Sequence, residues 1–126
     1  MAAETVTILC VDDEEIPRIL RSMILRRQGY HVLTANSGAD ALRILEEDGV
    51  NLVLTDQMMP EMSGTELTRL VKAARPHMPV ILISGMNELP PDAGCADRFL
   101  SKVDGPELLF QTIAEVLEAY RYADTG

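Results

Sequence analysis

Three aspartates mark the ends of two short apolar segments. Asp12 and Asp13 follow the run 7–11, and Asp56 ends the run 51–56. If both runs are buried strands of one open parallel sheet, their carboxyl ends meet and bring the carboxylates together. Two carboxylates about 4 Å apart repel by about 4 kcal/mol at an effective dielectric of about 20. A small hard cation such as Mg²⁺ would remove this penalty, and it keeps waters that a phosphate can displace.

Two further polar residues stand at the ends of later apolar runs. Ser84 ends the run 80–84, and Lys102 follows the run 98–101. An ammonium and a hydroxyl can bind phosphoryl oxygens while a metal ion balances the negative charge. Asp56 is then a candidate carboxylate nucleophile that would form an aspartyl-phosphate.

Short apolar runs alternate with longer segments of helical period, which predicts an α/β, doubly wound domain with a parallel sheet. The second strand is weakly apolar and is predicted at an edge. The ends of the strands form the expected ligand site. The predicted strands cover residues 6–11, 31–35, 52–55, 80–84 and 98–101.

Helices are predicted between these strands. The first has an apolar stripe, the face that usually packs on a core; its members are Ile16, Ile19, Leu20, Met23 and Arg27. Ser37 with Asp40, and Ser63 with Glu66, have the spacing of capping boxes at the next two helices. Pro90, Pro91 and Gly94 leave room for only a short or irregular fourth helix.

Length, charge, cysteine content and hydropathy limit the classes of protein to which the chain can belong. A chain of 126 residues is the size of one domain, and a net charge of -9 argues against direct nucleic-acid binding. Two cysteines make no disulfide framework, and no apolar run approaches the roughly 20 residues of a membrane span. We therefore expect a cytoplasmic protein without membrane insertion.

Four segments, in this order, resemble the receiver domain of two-component response regulators, of the CheY-like superfamily. They are Ile8-Leu-Cys-Val-Asp-Asp-Glu14, Leu54-Thr-Asp-Gln-Met-Met-Pro-Glu-Met-Ser-Gly64, Ile83-Ser-Gly85 and Phe99-Leu-Ser-Lys102. The resemblance implies a three-layer flavodoxin-like fold, with five parallel strands in the order 2-1-3-4-5 and about five helices. It also implies one receiver domain over residues 1–126, with a core at about 5–122 and no output domain.

The resemblance implies a chemical role for each motif residue. Asp56 would accept a phosphoryl group from the phosphohistidine of a sensor kinase or phosphotransfer protein, or from a small acyl phosphate. Mg²⁺ or Mn²⁺ would be bound directly by Asp13 and Asp56, by Asp12 through water and by the Met58 carbonyl. Lys102 would pair with the phosphoryl group, Ser84 would move to bond it, and the Phe99 rotamer would report that movement.

The implied protein is a signalling domain rather than an enzyme, although it would catalyse its own phosphorylation and dephosphorylation. It would be a monomer or weak dimer that signals to a downstream protein through a switched surface. Two features depart from the family pattern. Val103 replaces the usual Pro after Lys102, and the interval from Ser84 to Lys102 is about one helical turn short. Met58 and Met86 are large apolar residues at the two variable positions that flank the phosphate. We expect the two methionines to shield an acyl phosphate from water.

Two other functions are open to the same residues. A receiver-shaped interaction module would work without phosphorylation, but its expected mark is the loss of Asp56, Lys102 or the acidic pair, and all are present. A small hydrolase with Asp56 as nucleophile would use the same metal and lysine. It would also need a substrate pocket, for which the chain has few residues to spare.

Overall fold

The computed structural model describes residues 5–47, 49–85 and 95–125, with side chains described as far as residue 121. Strands and helices alternate through most of this part. The strands are β1 (Thr7–Val11), β2 (His31–Ala35), β3 (Leu52–Asp56), β4 (Val80–Ser84) and β5 (Arg98–Ser101). The helices are α1 (Glu15–Arg27), α2 (Gly38–Leu45), α3 (Gly64–Ala74) and α4 (Pro106–Thr125).

The five strands form one parallel sheet in the order β2-β1-β3-β4-β5. The predicted fold class and strand order are confirmed, and β2 lies at an edge as expected. Every residue of β3 and β4 is buried, because strands covered by helices on both faces carry apolar side chains on both. The third strand extends one residue beyond its predicted end and includes Asp56.

Two apolar layers lie on the two faces of the sheet. Alternate strand residues such as Ile8, Leu54 and Ile81 share one cluster with Leu25 of α1 and Ile113 of α4. Residues of the opposite parity share the other cluster with α2 and α3; they include Leu9, Val53, Ala41, Leu67 and Val71. The helices thus cover both faces, which leaves the ends of the strands as the places where polar side chains gather.

Helix α1 turns a different face to the sheet than its apolar stripe predicts. Ile16 is 72% exposed, Leu20 56% and Met23 48%. The inward positions are instead Arg18, Arg21, Ser22 and Leu25, which follow the i, i+3, i+4, i+7 spacing of one helix face. The predicted packing of this helix was therefore wrong, and the physical reason lies in the acidic cluster described below.

The helix ends follow local chemistry. Ser63 and Glu66 form the predicted capping box at α3, each side chain accepting the other's backbone N–H. At α2, Ser37 accepts the Asp40 N–H, whereas the Asp40 carboxylate accepts a hydrogen bond from Arg43 at 2.6 Å. Gly29, with a φ of 97°, follows the end of α1 in a conformation that favours glycine.

The described part of the chain contains four helices. The short or irregular fourth helix was predicted between Ser84 and Arg98, and residues 86–94 of that interval, which include Met86, lie outside the described residues. Among the helices that are described, none combines the length and apolar character needed to cross a membrane.

Candidate functional site

The predicted acidic residues meet at the carboxyl ends of β1 and β3. These strands are neighbours, with Val11 paired to Thr55, so Asp12 and Asp56 leave the sheet side by side. One carboxylate oxygen from each of Asp12, Asp13 and Asp56 lies within 4.8 Å of the others. Three carboxylates at such distances repel one another, so the cluster requires cations.

Lys102 supplies one cation. Its Nζ lies 3.0 Å from Oδ1 of Asp56, with the Asp56 side chain fully buried and the lysine side chain 35% exposed. The Lys102 backbone N–H donates to the Ser84 carbonyl at 2.9 Å. This bond continues the β4–β5 pairing by one residue and fixes where the lysine leaves the sheet.

Burial raises the pKa of Asp56 above its ordinary value. Pairing with Lys102 lowers this pKa and offsets only part of the effect, while the negative charge of Asp12 raises it further. The carboxylate is therefore held in an environment that disfavours its charge, and a second cation close to it would be stabilising.

Arginines of α1 supply contacts that the sequence analysis missed. Arg21 Nη1 lies 3.1 Å from Oδ2 of Asp12, and the exposed fractions of the two side chains are 14% and 1%. Arg18 Nη1 donates to the Asp12 carbonyl at 3.0 Å, and Asp12 Oδ1 accepts the Glu14 N–H at 2.9 Å. These contacts explain why α1 turns its arginines inward and leaves apolar side chains exposed.

A sequence signal for Arg21 did exist. Arg18 and Arg21 share a helix face that starts directly after the Asp12-Asp13 pair. Charge balance with the two aspartates predicts that this face of α1 points inward, whereas apolar periodicity predicts that the opposite face does.

Several carboxylate oxygens of the cluster are suited to bind a divalent cation. Asp13 Oδ1 and both carboxylate oxygens of Asp56 are buried without a hydrogen-bond partner within the described part of the chain. Lys102 Nζ lies at ion-pair distance from Asp56 Oδ1 and lowers the pKa of this carboxyl. Buried carboxylate oxygens without donors are uncommon. Oxygen ligands of this kind suit Mg²⁺ or Mn²⁺.

The loop after Asp56 is held in place by a neighbouring side chain. Gln57 Oε1 accepts hydrogen bonds from the Thr65 backbone N–H at 2.9 Å and the Thr65 hydroxyl at 2.7 Å. The Gly64 N–H donates to the Gln57 carbonyl at 2.9 Å. A side chain at Gly64 would collide with the Asp56 carbonyl and with Leu82. The loop that carries Met58 therefore returns tightly onto the end of β3.

The remaining predicted site residues lie around this cluster. Ser84 is buried at the end of β4, next to β3, and Phe99 is 38% exposed on β5. Met58 is 58% exposed in the loop after β3, and Val103, directly after Lys102, is 78% exposed. The structure brings Asp12, Asp13, Asp56 and Lys102 together and puts Ser84 on the adjoining strand.

Comparison with known proteins identifies the arrangement. A family model described as "Response regulator receiver domain" matches residues 8–114. Transcriptional regulatory protein GlrR of Escherichia coli is 37% identical over 125 residues, a match that covers 94% of this chain and 28% of GlrR. The chain thus spans less than a third of that relative.

Solved structures agree with the family match. A response regulator receiver domain protein from Clostridium thermocellum superposes with a TM-score of 0.88 at 30% identity, covering 94% of this chain and 98% of that one. Response regulator protein TrrA from Thermotoga maritima, solved in complex with Mg²⁺ and BeF, superposes with a TM-score of 0.84 at 26% identity. That match covers 89% of this chain and 99% of TrrA.

Proposed function

Because the chain belongs to the response regulator receiver domain family, we propose that Asp56 is the residue that accepts a phosphoryl group. The observation that supports this most is a fully buried carboxylate that is paired with Lys102 at 3.0 Å and receives no further hydrogen bond from the described residues. A carboxylate with so few donors retains lone pairs for attack on phosphorus. Asp56 is thus the proposed nucleophile and Lys102 the proposed phosphoryl-binding cation.

Asp12, Asp13 and Asp56 would hold the divalent cation, together with the Met58 carbonyl. Supporting this, their oxygens lie within 4.8 Å of one another, and the similar protein TrrA was solved with Mg²⁺ and BeF. The ion would neutralise charge that builds up as the phosphoryl group approaches. Ser84, at the end of the adjoining strand, would then bond the phosphoryl group, and Phe99 on the neighbouring β5 would follow its movement.

The phosphodonor would be the phosphohistidine of a sensor histidine kinase or phosphotransfer protein. The exposed apolar side chains of Ile16, Leu20 and Met23 support a protein donor, because they lie on the helix that follows the Asp12-Asp13 pair. Exposed apolar patches of this kind mark protein interaction sites. Output would pass from a surface switched by phosphorylation to a downstream protein.

Incubation with MgCl₂ and acetyl phosphate, followed by intact-mass measurement, tests the proposed phosphoacceptor. The expected result is a mass increase of one phosphoryl group, abolished by chelating the metal. Asp56→Asn should show no increase, whereas Asp40→Asn, which removes a surface carboxylate paired with Arg43, should be modified like the wild type. Modification of Asp56→Asn would place the phosphoryl group elsewhere and refute the assignment.

The same experiment separates the alternatives. A hydrolase would release many equivalents of phosphate for each protein molecule within minutes, while a receiver would hold a single phosphoryl group and lose it slowly. A receiver-shaped module that works without phosphorylation would show no increase in mass at any concentration of MgCl₂.

A further inference from the structure

Without metal, the acidic cluster needs a second cation besides Lys102. Arg21 lies where it can supply that charge. Its guanidinium contacts Oδ2 of Asp12 at 3.1 Å, and this contact is shielded, because Asp12 is only 1% exposed. Ion pairs on open surfaces contribute little, whereas a charge pair at this depth leaves a buried charge unpaired if one partner is removed. Arg21 is therefore more than a surface contact.

The charges of the cluster show what Arg21 changes. Asp12, Asp13 and Asp56 carry three negative charges, and Lys102 balances one through Asp56. Arg21 balances a second through Asp12, and Arg18 adds a further positive charge at the Asp12 carbonyl. Removing Arg21 therefore makes the surroundings of the cluster more negative by one charge. With Arg21 present, a divalent cation is attracted less strongly and is also repelled by the guanidinium.

We propose that Arg21 is an internal counter-cation that takes the place of part of the metal's charge, stabilises the metal-free cluster and weakens the binding of Mg²⁺. The site would then fill only at higher Mg²⁺ concentrations than the three carboxylates alone would require. Arg21 is a positioning and tuning residue in this account, since it acts through Asp12. The inference rests on the proposed function only in assigning the cation to Asp12, Asp13 and Asp56.

One contact argues for a charge effect rather than simple orientation of Asp12. The Glu14 N–H already holds the other Asp12 oxygen at 2.9 Å, so the carboxylate keeps a fixed partner if Arg21 is removed.

Calorimetric titration of the full chain with MgCl₂ alone, and with MnCl₂ as a second probe, tests the proposal. Arg21→Gln removes the charge and retains a polar, though shorter, side chain, so we expect it to bind Mg²⁺ about three- to tenfold more tightly than the wild type. Arg21→Lys restores the charge and should return the affinity to near the wild-type value. Arg27→Gln removes the same charge at an exposed position of the same helix and should leave it unchanged.

Thermal melting gives a second readout that does not depend on phosphorylation. In chelator, Arg21→Gln should melt below the wild type, and saturating MgCl₂ should recover more of its melting temperature than it adds to the wild type. Equal or weaker Mg²⁺ binding by Arg21→Gln would overturn the inference and leave the proposed function standing. Equally tight binding by the Gln and Lys variants would also overturn it, because charge would not be the cause. A wild type that binds neither metal would refute both proposals.

Discussion

Lys102 approaches Asp56 from the end of β5, with its Nζ 3.0 Å from Oδ1 of the buried carboxylate. The ammonium lowers the pKa of Asp56 and so offsets part of the effect of burial. The remaining lone pairs of the carboxylate would be available to bind a metal or attack phosphorus. The buried negative charge of Asp56 also lowers the free energy of unfolding of the metal-free protein.

Asp56→Asn should stabilise the metal-free protein at neutral pH by about 1 kcal/mol, the order of the cost of a buried group without donors. Burial raises the pKa of Asp56 from its ordinary value of 3.8, so the folded chain binds this proton more tightly than the unfolded chain. The free energy of unfolding then falls as pH rises from about 3.8 through the folded pKa, and stays lower above it. Urea unfolding of both proteins in chelator, from pH 3 to pH 8, measures the difference.

Mg²⁺ should reduce or reverse the stability advantage of Asp56→Asn. Mg²⁺ stabilises the folded state that binds it, and the wild type offers one more carboxylate than Asp56→Asn. The advantage of the variant should therefore shrink or change sign in saturating MgCl₂, and it should vanish below the ordinary pKa of aspartate, where both side chains are neutral. A variant less stable than the wild type at pH 7 in chelator would contradict the assigned cost of burial.

A second group of polar residues joins α3, α4 and the start of β5 at the opposite end of the sheet. Lys72 Nζ donates to Asp97 Oδ2 at 2.7 Å and to the Tyr120 hydroxyl at 2.8 Å, and that hydroxyl donates to Asp97 Oδ1 at 2.6 Å. The Val80 N–H donates to the same carboxylate at 2.7 Å. We expect Tyr120→Phe to lower the free energy of unfolding by about 1 kcal/mol at neutral pH, through loss of the hydroxyl bonds.

That loss should shrink at alkaline pH. Burial raises the pKa of Tyr120 above 10.0, and the hydrogen bond to Asp97 raises it further. Burial acts to lower the pKa of Lys72, but its bonds to Asp97 and Tyr120 outweigh this and raise it above 10.5. A raised pKa gives stability that is present below the unfolded value and is lost as pH rises through the folded value. Denaturant unfolding at pH 7 and above pH 10 tests this, with Tyr30→Phe as a tyrosine control whose pKa is raised by burial alone.

Gly64→Ala should destabilise the protein by about 1–3 kcal/mol, the usual cost of overpacking. A Cβ at this position would collide with the Asp56 carbonyl and lie 2.6 Å from Leu82 Cδ1. Gly105→Ala is the matched control, because its Cβ would meet no atom within 4 Å, and its effect should stay within about 0.5 kcal/mol. Equal melting temperatures for the two variants would show that the loop can move away from β3.

The strands and the acidic cluster were predictable because each follows from a local pattern. Runs of buried residues define β1, β3 and β4, and the geometry of a parallel sheet brings their carboxyl ends together. The capping box of Ser63 and Glu66 likewise depends on residues three apart. Identification of Asp56, Asp12 and Lys102 as one group needed only strand order and the position of each residue at a strand end.

The orientation of α1 was not predictable from apolar periodicity. Burying Leu20 and Met23 would have gained apolar contacts, but the helix instead turns Arg18 and Arg21 toward Asp12. A buried carboxylate without a partner costs more than an exposed apolar side chain, and this cost arises only after distant strands have assembled. The Gln57 contact with Thr65 also depends on the conformation of the loop rather than on sequence spacing.

Met58 should lengthen the lifetime of the phosphorylated state. Met58 lies in the loop after Asp56 and is 58% exposed, and we propose that its side chain borders the path of water to the acyl phosphate. An apolar side chain there offers no hydrogen bond to an attacking water, whereas Asn would. One such bond contributes about 1 kcal/mol, or on the order of fivefold in rate.

After phosphorylation by acetyl phosphate and removal of the donor, the decay of the phosphorylated mass should therefore be faster in Met58→Asn/Met86→Glu than in the wild type. Met58→Asn alone should account for part of the increase, and Met58→Leu, which stays apolar, should decay at the wild-type rate. Val103→Ala alters another exposed apolar side chain near the site and serves as a control for loss of apolar surface. A wild type that loses phosphate as fast as the polar double variant would show that the methionines do not shield the acyl phosphate.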